Sequence, residues 1–271
     1  KETIFTKNFV KIAFVKYHGC GNDFILINNL SNTLPKFSKC IIKNLCDRNL
    51  GIGADGLILL NYSETESFEM VYYNNDGKIS SMCGNGARCA MHFFSQIKVV
   101  GHKSNFLACD GVHHGEINEN LIKISLQNVE GYKLIENQFF INTGSPHLVR
   151  IVDDIFKIDI IKLSRESQKL KYFKNHGVNV NFVSIIDNGK IQLRTYERGV
   201  EDETLSCGTG AVAAALSLSL YSKSEIEKVN VKTLGGDLSV EFKRQNDNFY
   251  DIYLTGEVKK VFEGTIDYEK N

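Results

Sequence analysis

Twice in this sequence a cysteine stands directly before two glycines and a helix-forming run: Cys83-Gly84-Asn85-Gly86-Ala87 and Cys207-Gly208-Thr209-Gly210-Ala211. Glycine lets a backbone approach a ligand closely, and the unpaired N–H groups of a first helical turn point at whatever lies before them. Two such ends facing each other make an anion site that holds a carboxylate through backbone donors and helix dipoles, without a charged side chain. The same field favours a thiolate, lowering a cysteine pKa from its ordinary value of about 8.5. One thiolate can then take a proton from a carbon while a thiol on the opposite side delivers one, which inverts the centre. The obstacle is the weak acidity of an amino-acid α-hydrogen. Donors already aimed at the carboxylate stabilise the charge as it develops, each contributing on the order of 3 kcal/mol in a closed, dry site. Cys83 and Cys207 are therefore the expected acid/base pair. A redox pair would need the same proximity but not the Gly-x-Gly donors.

The other five cysteines, Cys20, Cys40, Cys46, Cys89 and Cys109, read as small buried hydrophobes. Seven is an odd number and no two form a Cys-x-x-Cys pair, which argues against a disulfide framework. Cys83, Cys89 and His92 lie close in sequence but match no common zinc spacing, so no metal is expected.

The two cysteine motifs belong to a longer internal echo at an offset of about 124 residues. Gly21-Asn22-Asp23 corresponds to Gly144-Ser145-Pro146-His147, and Asn49 to Asp55 corresponds to Asn175 to Asn181. Asp110-Gly111 corresponds to Gly235-Gly236. Four landmarks in the same order predict two similar domains. Short apolar or alternating runs predict strands at Phe24 to Ile27, Leu57 to Leu60, Phe68 to Tyr73, Ile122 to Leu126, Val180 to Ile186, Ile191 to Tyr196 and Val231 to Val240. Helices are expected at Pro35 to Cys46 and after each Cys-Gly motif. In Gly208 to Tyr221 apolar residues fill nearly every position, so that helix should be buried on almost all sides. Each half thus reads as strands wrapped around one helix, with its cysteine motif where the helix begins. The hinge is expected near Gln127 to Leu134.

Lys and Arg (32) balance Asp and Glu (32), so nothing advertises nucleic acid or an anionic membrane as a partner. With 271 residues, 42% of them hydrophobic, the chain can bury a substantial core. No apolar run approaches the roughly 20 residues that span a bilayer, and Lys1-Glu2-Thr3 opens no secretion signal, so a cytoplasmic location is expected.

Several motifs together resemble the signature set of diaminopimelate epimerases. They are His18-Gly19-Cys20-Gly21-Asn22-Asp23-Phe24, Asn74-Asn75-Asp76-Gly77, Met82 to Cys89, Gly144-Ser145-Pro146-His147, Tyr196-Glu197-Arg198-Gly199 and Ser206 to Ala211. The resemblance runs from about Phe14 to the C-terminus. It implies an α/β (α+β) fold of two pseudo-symmetric domains, each a barrel-like sheet around a central helix, with the active site between them. The boundaries would be 1–127, completed by a returning strand at 261–271, and 128–260. It further implies conversion of L,L-diaminopimelate to the meso form without pyridoxal phosphate or other cofactor, in lysine and peptidoglycan synthesis, by a homodimer.

Carried over by position, the resemblance makes Cys83 and Cys207 the acid/base pair, with the backbones of Gly84, Asn85, Gly208 and Thr209 on the reacting carboxylate. Asn22 and Glu197 would hold the adjacent amino group, with His147 nearby. Asn74, Asn179, Arg198 and Ser145 would read the distal amino-acid end, where the planar fork of Arg198 suits a carboxylate. Asn74 is also a natural turn residue, and the two roles are compatible. Two positions depart from the pattern: Gly56 stands where some members carry Gln, and Ser145 where many carry Asn. Lys1 to Val10 match nothing in the family and suit an added edge strand or a loose arm. Proline-type racemases and the phenazine-synthesis isomerases are the alternatives by fold. The polar Tyr196-Glu197-Arg198-Gly199 run speaks against an apolar proline site, and the two cysteines speak against the phenazine type. A non-enzymatic binder of a zwitterionic metabolite is the alternative from another class, and the intact cysteine pair speaks against it.

Overall fold

The computed structural model describes residues 9–98, 101–222 and 225–269. The first half runs β1 (Phe9–Gly19), β2 (Asn22–Asn29), α1 (Lys39–Cys46), β3 (Gly56–Asn61), β4 (Glu69–Asn74), α2 (Gly84–Ile97), β5 (Lys103–Ala108), β6 (Gly111–Asn118) and β7 (Leu121–Ser125). Short strands β8 (Val129–Glu130) and β9 (Lys133–Ile135) follow. The second half then repeats the plan with β10 (Gln138–Asn142), β11 (Pro146–Ile151), α3 (Ile160–Gln168), β12 (Asn179–Asp187) and β13 (Lys190–Glu197). It ends with β14 (Asp202–Thr204), α4 (Gly208–Ser222), β15 (Lys228–Thr233), β16 (Gly236–Gln245) and β17 (Asn248–Glu269).

The fold is mixed α/β, and backbone pairing repeats in the two halves. β2 lies parallel to β3 and β4 to β5; likewise β11 lies parallel to β12 and β13 to β15. In the first half the pairings close into a ring of β1 to β7 and β17. The second half is an arc from β9 through β13 and β15 to β17, which pairs with β8; among the described residues no backbone pairing joins β8 to β9 or β10. The long β17 serves both halves. Its first part pairs with β16 and β7, and Val258 to Glu269 pair with Gly19 back to Phe9 on β1.

Helix α2 packs on β1, β2, β3, β4, β6, β7 and β17, whereas α4 packs on β10 to β13, β15, β16 and β17. Every residue of α4 from Gly208 to Leu220 is buried, as its unbroken apolar and small-residue composition requires. One continuous apolar core holds both helices, from Met91 and Phe94 of α2 to Leu216 and Leu218 of α4. A fully buried Leu, Val or Phe in such a core contributes about 1.5–3 kcal/mol. No helix of the described residues is long and apolar enough to cross a membrane.

Several sequence expectations need correction. Helix α1 begins at Lys39 rather than Pro35, because Ser38 caps it through the Ile41 N–H and Phe37 is drawn edge-on against Tyr268. The run Val231 to Val240 is a hairpin, not one strand. Thr233 pairs with Gly236, and a Cβ on Gly235 would lie 1.8 Å from the Cys20 carbonyl, so the turn packs directly on the β1–β2 connection. Cys40 and Cys109 are exposed, unlike buried Cys20, Cys46 and Cys89; all seven cysteines are free. Phe9 and Val10 extend β1 as paired strand residues, while Lys1 to Asn8 lie outside the described residues.

Candidate active site

Helices α2 and α4 meet end to end. A Cβ on Gly84 would lie 3.8 Å from Gly208 Cα, and one on Gly208 would lie 3.4 Å from the Asn85 nitrogen. Leu254 of β17 presses on both glycines, so neither position has room for a side chain without movement. The first turns close alike, Ala87 N–H to Cys83 O at 2.8 Å and Ala211 N–H to Cys207 O at 2.9 Å. The free N–H groups and positive dipole ends of two buried helices therefore converge on one point. Before them opens a cavity of about 560 Å³.

Cys83 has an extended backbone and caps α2, its Sγ accepting from the Gly86 N–H at 3.4 Å. Its sulfur lies 3.8 Å from Asn22 Oδ1. The sulfur of Cys207 lies 3.5 Å from Thr209 Oγ1. Both thiols line the cavity. Burial pushes Cys83 up to about 11 against the pull of the Gly86 and Asn85 N–H groups. Burial, and then the Glu197 carboxylate, hold Cys207 well above its ordinary value. The lowered thiolate pKa expected from the helix ends is thus outweighed here by desolvation: both groups are thiols in this state.

Of the residues picked out from sequence, Asn22, Asn74, Gly84, Asn85, Ser145, Asn179, Glu197, Arg198, Gly208 and Thr209 all line the cavity with the two cysteines. Asn22 donates to Asp55 at 2.7 Å, which turns its amide oxygen toward Cys83 and the Asn85 side chain (3.2 Å). Half-buried Glu197 accepts from Thr204 Oγ1 at 2.6 Å, and desolvation raises its pKa. At the other end, Asn179 donates to Ser145 Oγ (3.0 Å) and accepts from the Arg198 backbone (3.0 Å), while the Arg198 guanidinium donates to the His176 carbonyl at 2.7 Å. Asn74 closes a turn through its backbone, as the sequence suggests, and still faces the cavity.

His147 is not among the lining residues. It is fully buried behind Thr209, with Nε2 2.9 Å from Thr209 Oγ1 and Nδ1 3.1 Å from Asn181 Nδ2. Because the Asn181 amide can only donate there, the Nδ1 accepts and Nε2 carries the proton, given to Thr209. Burial, and then the Arg198 charge, press its pKa down to about 3, so the ring is neutral.

Sequence reasoning did not single out Arg48, Asp55 or Tyr72, which also line the cavity. Arg48 grips Asp23 through both nitrogens at 3.0 and 2.7 Å and reaches Asp55 at 2.8 Å; Lys16 completes the cluster on Asp23 at 2.7 Å. Burial opposes ionisation of Asp23, but the Arg48 and Lys16 hydrogen bonds hold it at about 2, whereas burial and the Asp23 charge raise Asp55. Tyr72 explains Gly56: a Cβ there would lie 2.5 Å from Tyr72 Cε2 and 2.4 Å from the Tyr73 carbonyl. The Asn22-Asp23 and Gly-Ala-Asp55 repeats were visible in sequence, but their union depends on the β2–β3 pairing. Among the described residues no group of three or more His, Cys, Asp or Glu is gathered to hold a metal ion.

In fold the chain is similar to a hydroxyproline epimerase from Agrobacterium vitis, at TM-score 0.69 and 11% identity, covering 96% of this chain and 93% of the other. It is likewise similar to a phenazine biosynthesis protein of the PhzF family from Bacillus anthracis, at TM-score 0.74 and 13% identity, covering 95% and 99%. These likenesses show the fold, and the sequence sets the class: the chain is an epimerase. In sequence the chain is 45% identical over 255 residues to a diaminopimelate epimerase from Flavobacterium psychrophilum, covering 93% of this chain and 98% of that one. A diaminopimelate epimerase from Aquifex aeolicus is 38% identical over 280 residues, covering 95% and 99%. The diaminopimelate epimerase family model matches residues 14–120 and 139–261, and the chain belongs to that family.

Proposed function

We propose that this enzyme converts L,L-diaminopimelate to the meso form by moving a proton across one carbon between Cys83 and Cys207, with no cofactor. The observation that carries the reading is the end-to-end meeting of α2 and α4, which brings both thiols and both sets of helix-end donors to one cavity. The α-carboxylate occupies the point where the N–H groups of Gly84, Asn85, Gly208 and Thr209 converge. The α-ammonium lies against Glu197 and the amide oxygen of Asn22. Arg198, Asn179, Ser145 and Asn74 take the distal ammonium and carboxylate, and His147 acts one layer behind through Thr209.

Cys83 must lose its proton before it can act as a base. The substrate's ammonium and the convergent donors favour that ionisation once the cavity is filled, the ammonium offsetting the Glu197 carboxylate that raises Cys83, while burial and Glu197 keep the Cys207 sulfur protonated. The Cys83 thiolate takes the α-hydrogen as a proton, and the electron pair left on carbon spreads into the carboxylate held by the helix ends. The Cys207 thiol then gives its proton to the opposite face. Cys83 ends as thiol and Cys207 as thiolate, so the reverse reaction begins from the mirror arrangement. Incubation with L,L-diaminopimelate, L-proline and L-glutamate separately, without added cofactor, tests the substrate through optical inversion. Inversion of proline or glutamate, with none of diaminopimelate, would refute it.

The two halves are read as domains, 1–127 completed by 261–271 and 128–260, each with its sheet wrapped around its central helix. The pairing of β17 with β1 and the packing of α2 and α4 support this reading. Homodimer formation and a cytoplasmic location complete the proposal, and sedimentation of the purified protein tests the former.

A further inference from the structure

Arg88 is the largest fully buried side chain among the described residues. It lies on the second turn of α2, and no carboxylate among the described residues accepts from it. One nitrogen, Nη2, donates to Asn85 Oδ1 at 2.9 Å and lies 3.8 Å from Cys20 Sγ; Nε and Nη1 have no partner among the described residues. The niche is shaped for it: a Cβ on Gly19 or on Gly256 would come within 3.2 Å of the guanidinium. Enclosing a cation without a counter-charge is costly, and apolar residues fill such space with less penalty. The equivalent position after Cys207 is Val212, so helix packing alone does not require a charge here.

We propose that Arg88 is a positioning residue of the epimerisation: its buried guanidinium locks the Asn85 side chain that joins the two helix ends and sets a permanent positive charge on the second turn of the helix that Cys83 caps. Arg88 holds the amide oxygen of Asn85, which leaves the amide N–H₂ to bridge Asn22 Oδ1 (3.2 Å) and the Ser206 carbonyl (3.1 Å). Ser206 directly precedes Cys207, so one side chain ties the Cys83 helix to the other cysteine. An arginine suits the task because it keeps its charge at every working pH and its fork fixes a direction. The charges around it come from several elements. Cys83 and Cys89 face it from α2 and Cys20 from the β1–β2 turn, with Asp237 of β16 and Glu257 of β17 beyond Cys20. Glu197 of β13 and Tyr72 of β4 bear on Cys83 from the cavity side. Arg48, Asp55 and Arg198 line the same cavity as Cys83, and Arg88 is the cation enclosed in the core behind it.

The inference rests on the role given to Cys83, and a readout that needs no substrate separates the two. Alkylation of Cys83 by iodoacetamide is followed across pH by peptide mapping in the parent, Arg88→Met and Arg88→Lys proteins. Arg88→Met is expected to raise the alkylation midpoint by about one pH unit, the scale of a nearby charge in a buried site. Arg88→Lys should restore the midpoint only in part, since a buried lysine sheds its proton where arginine does not. In turnover, Arg88→Lys should lower kcat about tenfold with KM within about twofold, because Asn85 loses the fork that directs it. An unchanged midpoint in Arg88→Met overturns the electrostatic role. Parental kcat in Arg88→Lys overturns the positioning role, and that variant decides alone if Arg88→Met does not fold. A shifted midpoint in protein whose parent does not invert diaminopimelate would leave Arg88 standing and remove the assigned substrate instead.

Discussion

The two helix ends share a backbone plan but not an electrical environment. At the first, Cys83 faces the amide oxygen of Asn22, and the charge of buried Arg88 acts against the desolvation of its sulfur. At the second, Cys207 lies beside the Glu197 carboxylate and receives Thr209, itself held by neutral His147. Duplication of a fold therefore gives two equal carriers of dipole and N–H groups. Divergence of a few side chains then surrounds the two sulfurs unequally: Glu197 raises both, but Arg88 pulls against burial at Cys83 and Thr209 at Cys207. A reaction that needs one thiolate and one thiol at the same moment benefits from that inequality.

If the sulfurs act as a pair, Cys83→Ala and Cys207→Ala should each cut inversion by about a thousandfold, within the range usual for a lost acid or base. Retained circular dichroism would exclude unfolding as the cause. Near-parental inversion by either variant would end the paired-thiol account. Arg198→Lys keeps the charge but loses the planar fork, and kcat/KM is expected to fall about tenfold. Unchanged kinetics would remove Arg198 from the distal site.

Glu197→Gln tests the inequality itself. The carboxylate raises the Cys207 pKa, so neutralising it should lower the alkylation midpoint of Cys207 by about one pH unit. An equal or larger shift at Cys83 would show that the two ends are not distinguished by this charge. The mildest effect on turnover is expected from His147→Gln, a fewfold loss, because Thr209 keeps its hydroxyl. Its signature lies in stability. Folded His147 titrates near 3, far below its unfolded value. Between roughly pH 3 and 6.5 the unfolded chain therefore binds one proton more, and the parent loses about 1.4 kcal/mol per pH unit as pH falls through that window. His147→Gln should show a shallower fall of Tm over the same window, and parallel curves would contradict the neutral, buried ring.

The repeated cysteine motifs were legible in sequence because each is local and because the echo set them in register. The burial of α4 was legible for a similar reason, its composition leaving no polar face. Helix α3 was not, since its buried residues are Ile160, Ser164 and Ser167 and an apolar stripe hardly exists. The hairpin at Leu234-Gly235 was masked by an alternation that runs through the turn. Arg48, Asp55, Tyr72 and the burial of Arg88 were beyond local reading as well. Their neighbourhoods are made by pairings such as Phe24 with Gly56 and Gly56 with Asn74, which join residues far apart in the chain.

The pairing of β17 with β1 has a consequence for how the protein is made. During synthesis β1 leaves the ribosome well before β17, and its outer edge has no partner until Val258 to Glu269 have followed. At roughly 5–20 residues per second, the intervening chain takes on the order of ten to fifty seconds to appear. Through that interval an unpaired strand edge is open to other nascent chains. A chaperone that shields it, or a slow stretch of translation placed after the strand, would change the yield of native enzyme without touching a residue of the active site.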